Sequence, residues 1–132
     1  MKTALRVSLS IATALLTVAA FGQELAPGKY SGEYASQTTQ GFRVRISLDI
    51  KSVADGAIEG TGSRYTVTQL GYSGTTCTGE FPLTGTLKGD RVDIRAAKPF
   101  GPSGDCRFRV QGTVADNKIQ GKIGQNDIEL SR

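Results

Sequence analysis

Histidine and tryptophan are absent from this chain, methionine occurs once and cysteine twice. Without histidine, no side chain carries an unperturbed pKa near neutrality, so the commonest general acid–base group is missing. Two cysteines and no histidine are too few ligands for a zinc site. Seventeen glycines and four prolines are too many for a helical bundle, and they lack the period of collagen. An apolar content of 38% set out in alternation excludes a disordered chain. The 132 residues leave no room for a two-domain enzyme or a nucleotide-binding α/β domain.

The N-terminus reads as a secretory signal over residues 1–22. Lys2 and Arg6 supply its charged start. Val7 to Phe21 is an apolar stretch diluted by Ser8, Ser10, Thr13 and Thr17. It is too short and polar-spotted for a span of about 20 residues. Ala20-Phe21-Gly22 sets small residues where a signal peptidase needs them, so cleavage is expected before Gln23. A cut before Phe21 is the second choice. No cysteine follows the apolar run, which argues against a lipoprotein anchor, and no later stretch is long enough to span a membrane. There is no Asn-x-Ser/Thr sequon, in keeping with a bacterial origin. The expected product is one exported domain, residues 23–132, periplasmic or extracellular. Its fourteen basic and twelve acidic residues leave a charge of +2. So mild an excess governs solubility more than partner choice and is no evidence for nucleic-acid binding.

Export makes a Cys77–Cys106 disulfide the default, the alternative being two free thiols. The bridge would close about 30 residues and contribute up to ~3.5 kcal/mol by chain entropy.

Period-two alternation dominates the mature chain. Phe42, Val44, Ile46, Leu48 and Ile50 interleave with Arg43, Arg45, Ser47, Asp49 and Lys51. Val92, Ile94 and Ala96 alternate with Arg91, Asp93 and Arg95, and Phe108, Val110 and Val114 with Arg107, Arg109, Gln111 and Thr113. One dry and one wet face is the behaviour of antiparallel sheet. Turns are expected at Asp55-Gly56, Lys88-Gly89-Asp90, Asp116-Asn117 and Gly124 to Asp127. About eight strands follow: 29–36, 42–53, 57–69, 76–87, 91–97, 106–115, 118–124 and 127–131.

A short repeat runs through these strands: Ile58-Glu59-Gly60-Thr61, Leu83-Thr84-Gly85-Thr86, Val110-Gln111-Gly112-Thr113 and Ile119-Gln120-Gly121-Lys122. Glycine in register with the apolar face lets a strand coil sharply or another layer approach closely. The pattern suits an all-β, antiparallel up-and-down barrel better than the alternative, a compact sandwich. A slip in parity between Ile58 and Tyr65-Val67 suggests a bulge in the third strand. Repeated apolar-x-Gly-Thr strands joined by Asp-Gly and Lys-Gly-Asp turns resemble the small barrels of the avidin or calycin kind. That resemblance implies the barrel. With no tryptophan the aromatic box of avidin-type biotin sites is missing, so neither ligand nor residues are carried over.

A meander places the tight turns at one end and the longer connections 37–41, 68–76, 98–105 and 124–127 at the other. The cysteines then meet through loops folded over that end. These loops are the first binding candidate. They hold Gln37, Thr38, Thr39 and Gln40, then Tyr72, Ser73, Thr75 and Thr76, then a knuckle of Lys98, Pro99, Phe100 and Pro102, then Gln125 and Asn126. Polar groups and an aromatic on loops held by a rigid barrel are a common way to build a site. The second candidate is an anion-binding face of Arg91, Arg95, Arg107 and Arg109, whose forks match carboxylates and phosphates. Asp93 and Asp105 are its expected counter-charges, and no aromatics interleave there for nucleic-acid stacking.

Catalysis finds no footing. Asp49, Glu59, Asp93 and Glu129 fall on wet faces, there is no Gly-x-Ser-x-Gly elbow, and Gly71-Tyr72-Ser73-Gly74 precedes no helix. The reading is an exported, non-catalytic binding or interaction protein, without cofactor or metal, of the bacterial envelope or secreted. It would be a monomer or weak dimer with an unknown protein or small ligand as partner. A small enzyme is a minor alternative, and a small-molecule carrier is the main one. It requires that Phe42, Ile46, Ile50, Ile94, Phe108 and Val110 do not fill the barrel.

Overall fold

The computed structural model describes residues 25–36, 42–68 and 77–132. The leader and its cleavage site lie outside them. The strands are β1 (Gly28–Ala35), β2 (Phe42–Ala54), β3 (Ala57–Thr68), β4 (Gly79–Lys88), β5 (Arg91–Ala96), β6 (Arg109–Ala115), β7 (Lys118–Ile123) and β8 (Asn126–Ser131). Every consecutive pair is antiparallel, and β8 pairs back onto β1 with Ser31 opposite Ser131. The result is a closed eight-stranded barrel, not a sandwich. Closure leaves β1 and β8 without free edges for pairing between chains.

Alternation decides what goes inside. Val44, Ile46, Leu48 and Ile50 of β2 are buried, with Val92 and Ile94 of β5 and Val110 and Val114 of β6. Tyr30, Ile58, Phe81, Leu83, Phe108, Ile119, Ile128 and Leu130 complete one continuous core, and Phe42 packs at its margin. No polar side chain is buried among the described residues. Tyr30 shows how one polar atom is accommodated: its hydroxyl donates to the Ala26 carbonyl at 2.7 Å. Burial pushes the pKa of that hydroxyl up.

The repeated glycines permit the curvature. Gly112 and Gly121 face each other across β6 and β7. A Cβ on Gly112 would lie 2.1 Å from the Gln120 carbonyl oxygen, and one on Gly121 would lie 2.3 Å from that of Gln111. At these inward positions the neighbouring backbone occupies the space of a side chain.

The hairpins turn as expected. Asp55 and Gly56 both adopt positive φ, as do Asp116 and Asn117, the requirement of two-residue primed turns. These turns and the one at Gly89 lie at one end of the barrel, opposite the connections 36–41, 69–78 and 97–108. Two expectations need correction. The bulge is not in β3. It falls in β2, between Ile50 and Ser52, where Lys51 is the extra residue. β3 keeps its parity, so Tyr65 and Val67 point outward, 42% and 38% exposed. Secondly, the β7–β8 connection is no long loop. It is a tight turn at Gly124-Gln125, and Asn126 already belongs to β8.

Candidate functional site

Among the described residues, the connection 97–108 makes up most of the long-connection end. Cys77 and Cys106 are joined there, with Cα atoms 5.5 Å apart. Cys77 lies two residues before β4, and Cys106 forms an isolated bridge with Phe100. Phe100 N donates to the Cys106 carbonyl at 3.0 Å, and Cys106 N donates to that of Phe100 at 2.9 Å. Gly101 and Gly104 supply the positive φ this small hairpin requires. The inward-facing Arg64 of β3 donates a hydrogen bond to the Cys77 carbonyl and secures the other side of the staple.

Phe100 does not share the surface with the rest of the predicted knuckle. Only 6% of it is accessible. Its ring lies 4.7 Å from that of Phe81, which stacks in turn on Phe108 at 5.0 Å. The connection folds its aromatic inward and caps the core, leaving Lys98 and Pro99 on the surface. Cation and aromatic, read together as one knuckle, point to opposite sides of the backbone.

On the outer face beside this cap, β5 and β6 set Arg95 directly opposite Arg109. The Ala96 N–H to Phe108 carbonyl bond at 2.9 Å carries the same pairing onward and places Arg107 opposite Ala97. Arg95, Lys98, Arg107 and Arg109 line a groove of about 520 Å³, with Ala96, Ala97, Pro99, Phe108, Ile123 and Gly124 contributing its apolar surface. Three of the four arginines of the predicted anion-binding face thus converge with the loop cation Lys98. The two candidates, separate in the sequence, share one place.

Arg91 does not join that groove. It lies toward the tight-turn end and lines a neighbouring one of about 530 Å³ with Lys88, Asp93 and Gln111. Lys88 faces Arg91 across the Gly89-Asp90 turn. Lys88 was missed by the sequence reading, although its position two residues before Asp90 places it beside Arg91 in any tight hairpin. The two grooves form one stripe along β5 and β6, with six cations in their combined lining and Asp93 as its one carboxylate.

Asp93 serves Arg109. The guanidinium Nε and Nη2 donate to its two oxygens at 3.0 and 2.6 Å, and Gln111 adds a longer contact at 3.4 Å. The Arg109 hydrogen bonds, more than the field of nearby Arg95, hold the Asp93 pKa below its ordinary value. The same pair raises that of Arg109. Asp105, the other expected counter-charge, is exposed and lines neither groove. Among the described residues, no carboxylate stands within ion-pair distance of Lys88, Arg91, Arg95, Lys98 or Arg107.

Most of the described cations outside the stripe have a carboxylate partner. Arg43 and Arg45 both clamp Glu33, which lowers the Glu33 pKa, the Arg45 hydrogen bond contributing most. Lys118 meets Glu129 and Lys122 meets Asp127. β2, which carries Arg43 and Arg45, is separated from β5 by two strands, so those arginines do not extend the stripe.

The remaining candidates divide. Gln37, Thr38, Gln40, Tyr72 and Thr75 lie outside the described residues. Gln125 is exposed in the tight turn and Asn126 is half-buried, its side-chain amide donating to the Ile123 carbonyl at 3.5 Å. Neither lines the groove; Gly124 does. Tyr65 and Val67 form no basic or polar constellation, since their cross-strand partners are the clamped Arg45 and Arg43. Two exposed apolar side chains are ordinary for a protein surface. No protein-family model, no curated protein and no solved structure matches this chain.

Proposed function

We propose that the protein is an exported, non-catalytic binding module that meets its partner with the long-connection end of the barrel. One observation carries this reading: the groove where Arg95, Lys98, Arg107 and Arg109 converge beside the disulfide-bonded cap. The cap is held by the disulfide, two backbone hydrogen bonds and stacked phenylalanines, so cationic side chains are presented from a rigid base. Preorganised surfaces of this kind lose little entropy on binding.

Three further features support it. Ile46, Ile50, Ile94, Phe108 and Val110 occupy the space a central ligand would need, which favours an outer site over a carrier's cavity. Charged side chains on the outer face and apolar ones inside are the reverse of a transmembrane barrel. A disulfide is compatible with the oxidising compartment to which the leader at residues 1–22 would direct the chain. The carboxylates with lowered pKa values, Glu33, Asp93 and Glu129, are held ionised by donors on the outer surface. That is poor preparation for general-acid chemistry.

The test is photo-crosslinking in the native cells, with a benzophenone side chain placed at Lys98 or, as control, at Asp116 in the opposite end's turn. A discrete macromolecular adduct from position 98 and none from 116 is the expected result. Adducts from 116 alone, or a small ligand retained only in the folded protein by native mass spectrometry, would overturn the reading.

A further inference from the structure

We infer that the stripe on β5 and β6 binds an extended acidic peptide segment of another protein. This rests on the proposed binding function and specifies its partner's chemistry. Like charges directly opposite on neighbouring strands destabilise a sheet, yet Arg95 faces Arg109 and Lys88 faces Arg91. Five of the eight described cations outside the stripe pair with a carboxylate, as Arg43 and Arg45 do with Glu33. Here six cations share one carboxylate, and Asp93 is spent on Arg109. An anionic partner completes what the barrel leaves without counter-charge.

Spacing selects the kind of anion. Arg107 lies two residues before Arg109, the first residue of β6, and Arg91 and Arg95 are four apart on β5, about 14 Å at the antiparallel rise. Those are the intervals at which an extended peptide presents alternate side chains on one face. A peptide with acidic residues along one face meets Arg107 and Arg109 at a spacing of two and Arg91 and Arg95 at a spacing of four, with Asp93 between the latter pair. A single small anion would use only part of the stripe. The apolar surface of Ala97, Pro99 and Ile123 at the capped end gives room for one uncharged side chain beside the carboxylates. Among the described residues the aromatic rings beside the stripe, Phe100 and Phe108, are buried and offer no platform on which bases would stack.

The experiment uses the mature, disulfide-bonded protein and a fluorescent sixteen-residue alternating Glu-Ser peptide, with Gln-Ser as the neutral control. Polygalacturonate and oligo-dT are competitors. Anisotropy is read at low and physiological salt. The expected result is binding of Glu-Ser alone, weakened by salt, and weakened at least about tenfold by combined Arg95→Ala and Arg107→Ala. Arg43→Ala with Arg45→Ala, on the other side of the barrel, is expected to leave affinity within about twofold. Circular dichroism checks that both variants are folded. Equal binding of the Gln-Ser peptide, an equal loss in the Arg43/Arg45 variant, or tighter binding of either competitor would overturn the inference. If Lys98 still crosslinks a partner while the acidic peptide does not bind, the inference falls and the binding function stands. If position 98 yields no adduct and the peptide does not bind, both fall.

Discussion

Arg95 and Arg109 stand directly opposite each other on neighbouring strands, and only Arg109 has a carboxylate, the bidentate Asp93. The arrangement divides the pair into a neutralised cation and an available one. Asp93→Asn would remove that division. Two guanidinium groups would then face each other without compensation, which lowers stability slightly for a cross-strand pair this exposed. Affinity for an acidic peptide should rise at the same time. Denaturant unfolding and the anisotropy titration read the two effects; a variant that loses both stability and affinity would contradict this division of roles.

The same carboxylate makes a pH prediction. Its folded pKa lies below the ordinary aspartate value, with the Arg109 hydrogen bonds the largest cause, and Glu33 is lowered chiefly by Arg45. Groups with depressed folded pKa values stabilise the protein fully above their unfolded values. That contribution declines as pH falls through the ordinary carboxylate range and is gone below the lowered folded pKa. Carboxyl-detected NMR titration should find Asp93 and Glu33 still ionised where free Asp and Glu are largely protonated. Ordinary midpoints for both would remove the ion pairs from the account.

Cys77 and Cys106 hold the cap that carries Lys98. Replacing both by alanine should lower stability by up to ~3.5 kcal/mol, from the chain entropy of a loop with a sequence separation of 29. Amide exchange should rise through residues 97–106 more than in β2. An unchanged urea midpoint with unchanged exchange in that segment would show that Phe81, Phe100 and Phe108 hold the cap by themselves.

Gly112 and Gly121 test why the barrel coils as it does. Alanine at 112 would drive its Cβ to 2.1 Å from the Gln120 carbonyl oxygen, backbone that cannot move without opening β6 from β7. A loss of about 1–3 kcal/mol or more is expected, measured by thermal or urea unfolding. Tolerance within a few tenths of a kcal/mol would mean that the close approach is not required.

The glycine repeat is also where the sequence is most legible. Apolar-x-Gly in Val110-Gln111-Gly112 and Ile119-Gln120-Gly121 put glycine on the dry face, and a curved barrel was the physical consequence. Alternation in 42–50, 91–96 and 108–114 placed core and surface because period two admits one assignment of faces once one is buried. What was not legible was relational. Phe100 reads as a surface knuckle because its neighbours Lys98, Pro99 and Pro102 are surface residues. Only the bridge to Cys106 turns its ring onto Phe81. Tyr65 and Val67 suggested a bulge in β3, since apolar residues were expected inside. The bulge at Lys51 lies in the partner strand, where the step of three from Ile50 to Val53 breaks the alternation. The convergence of Lys98 with Arg95 and Arg107 needed the pairing of β5 with β6, which emerges only when the strands are in register.

The most direct test of the account is an amide chemical-shift map of the mature protein titrated with the alternating Glu-Ser peptide. The account predicts perturbations concentrated at residues 88–98 and 107–111 and absent from β1 and β2. Perturbations centred on Arg43 and Arg45, or none at peptide concentrations that saturate the anisotropy signal, would contradict it.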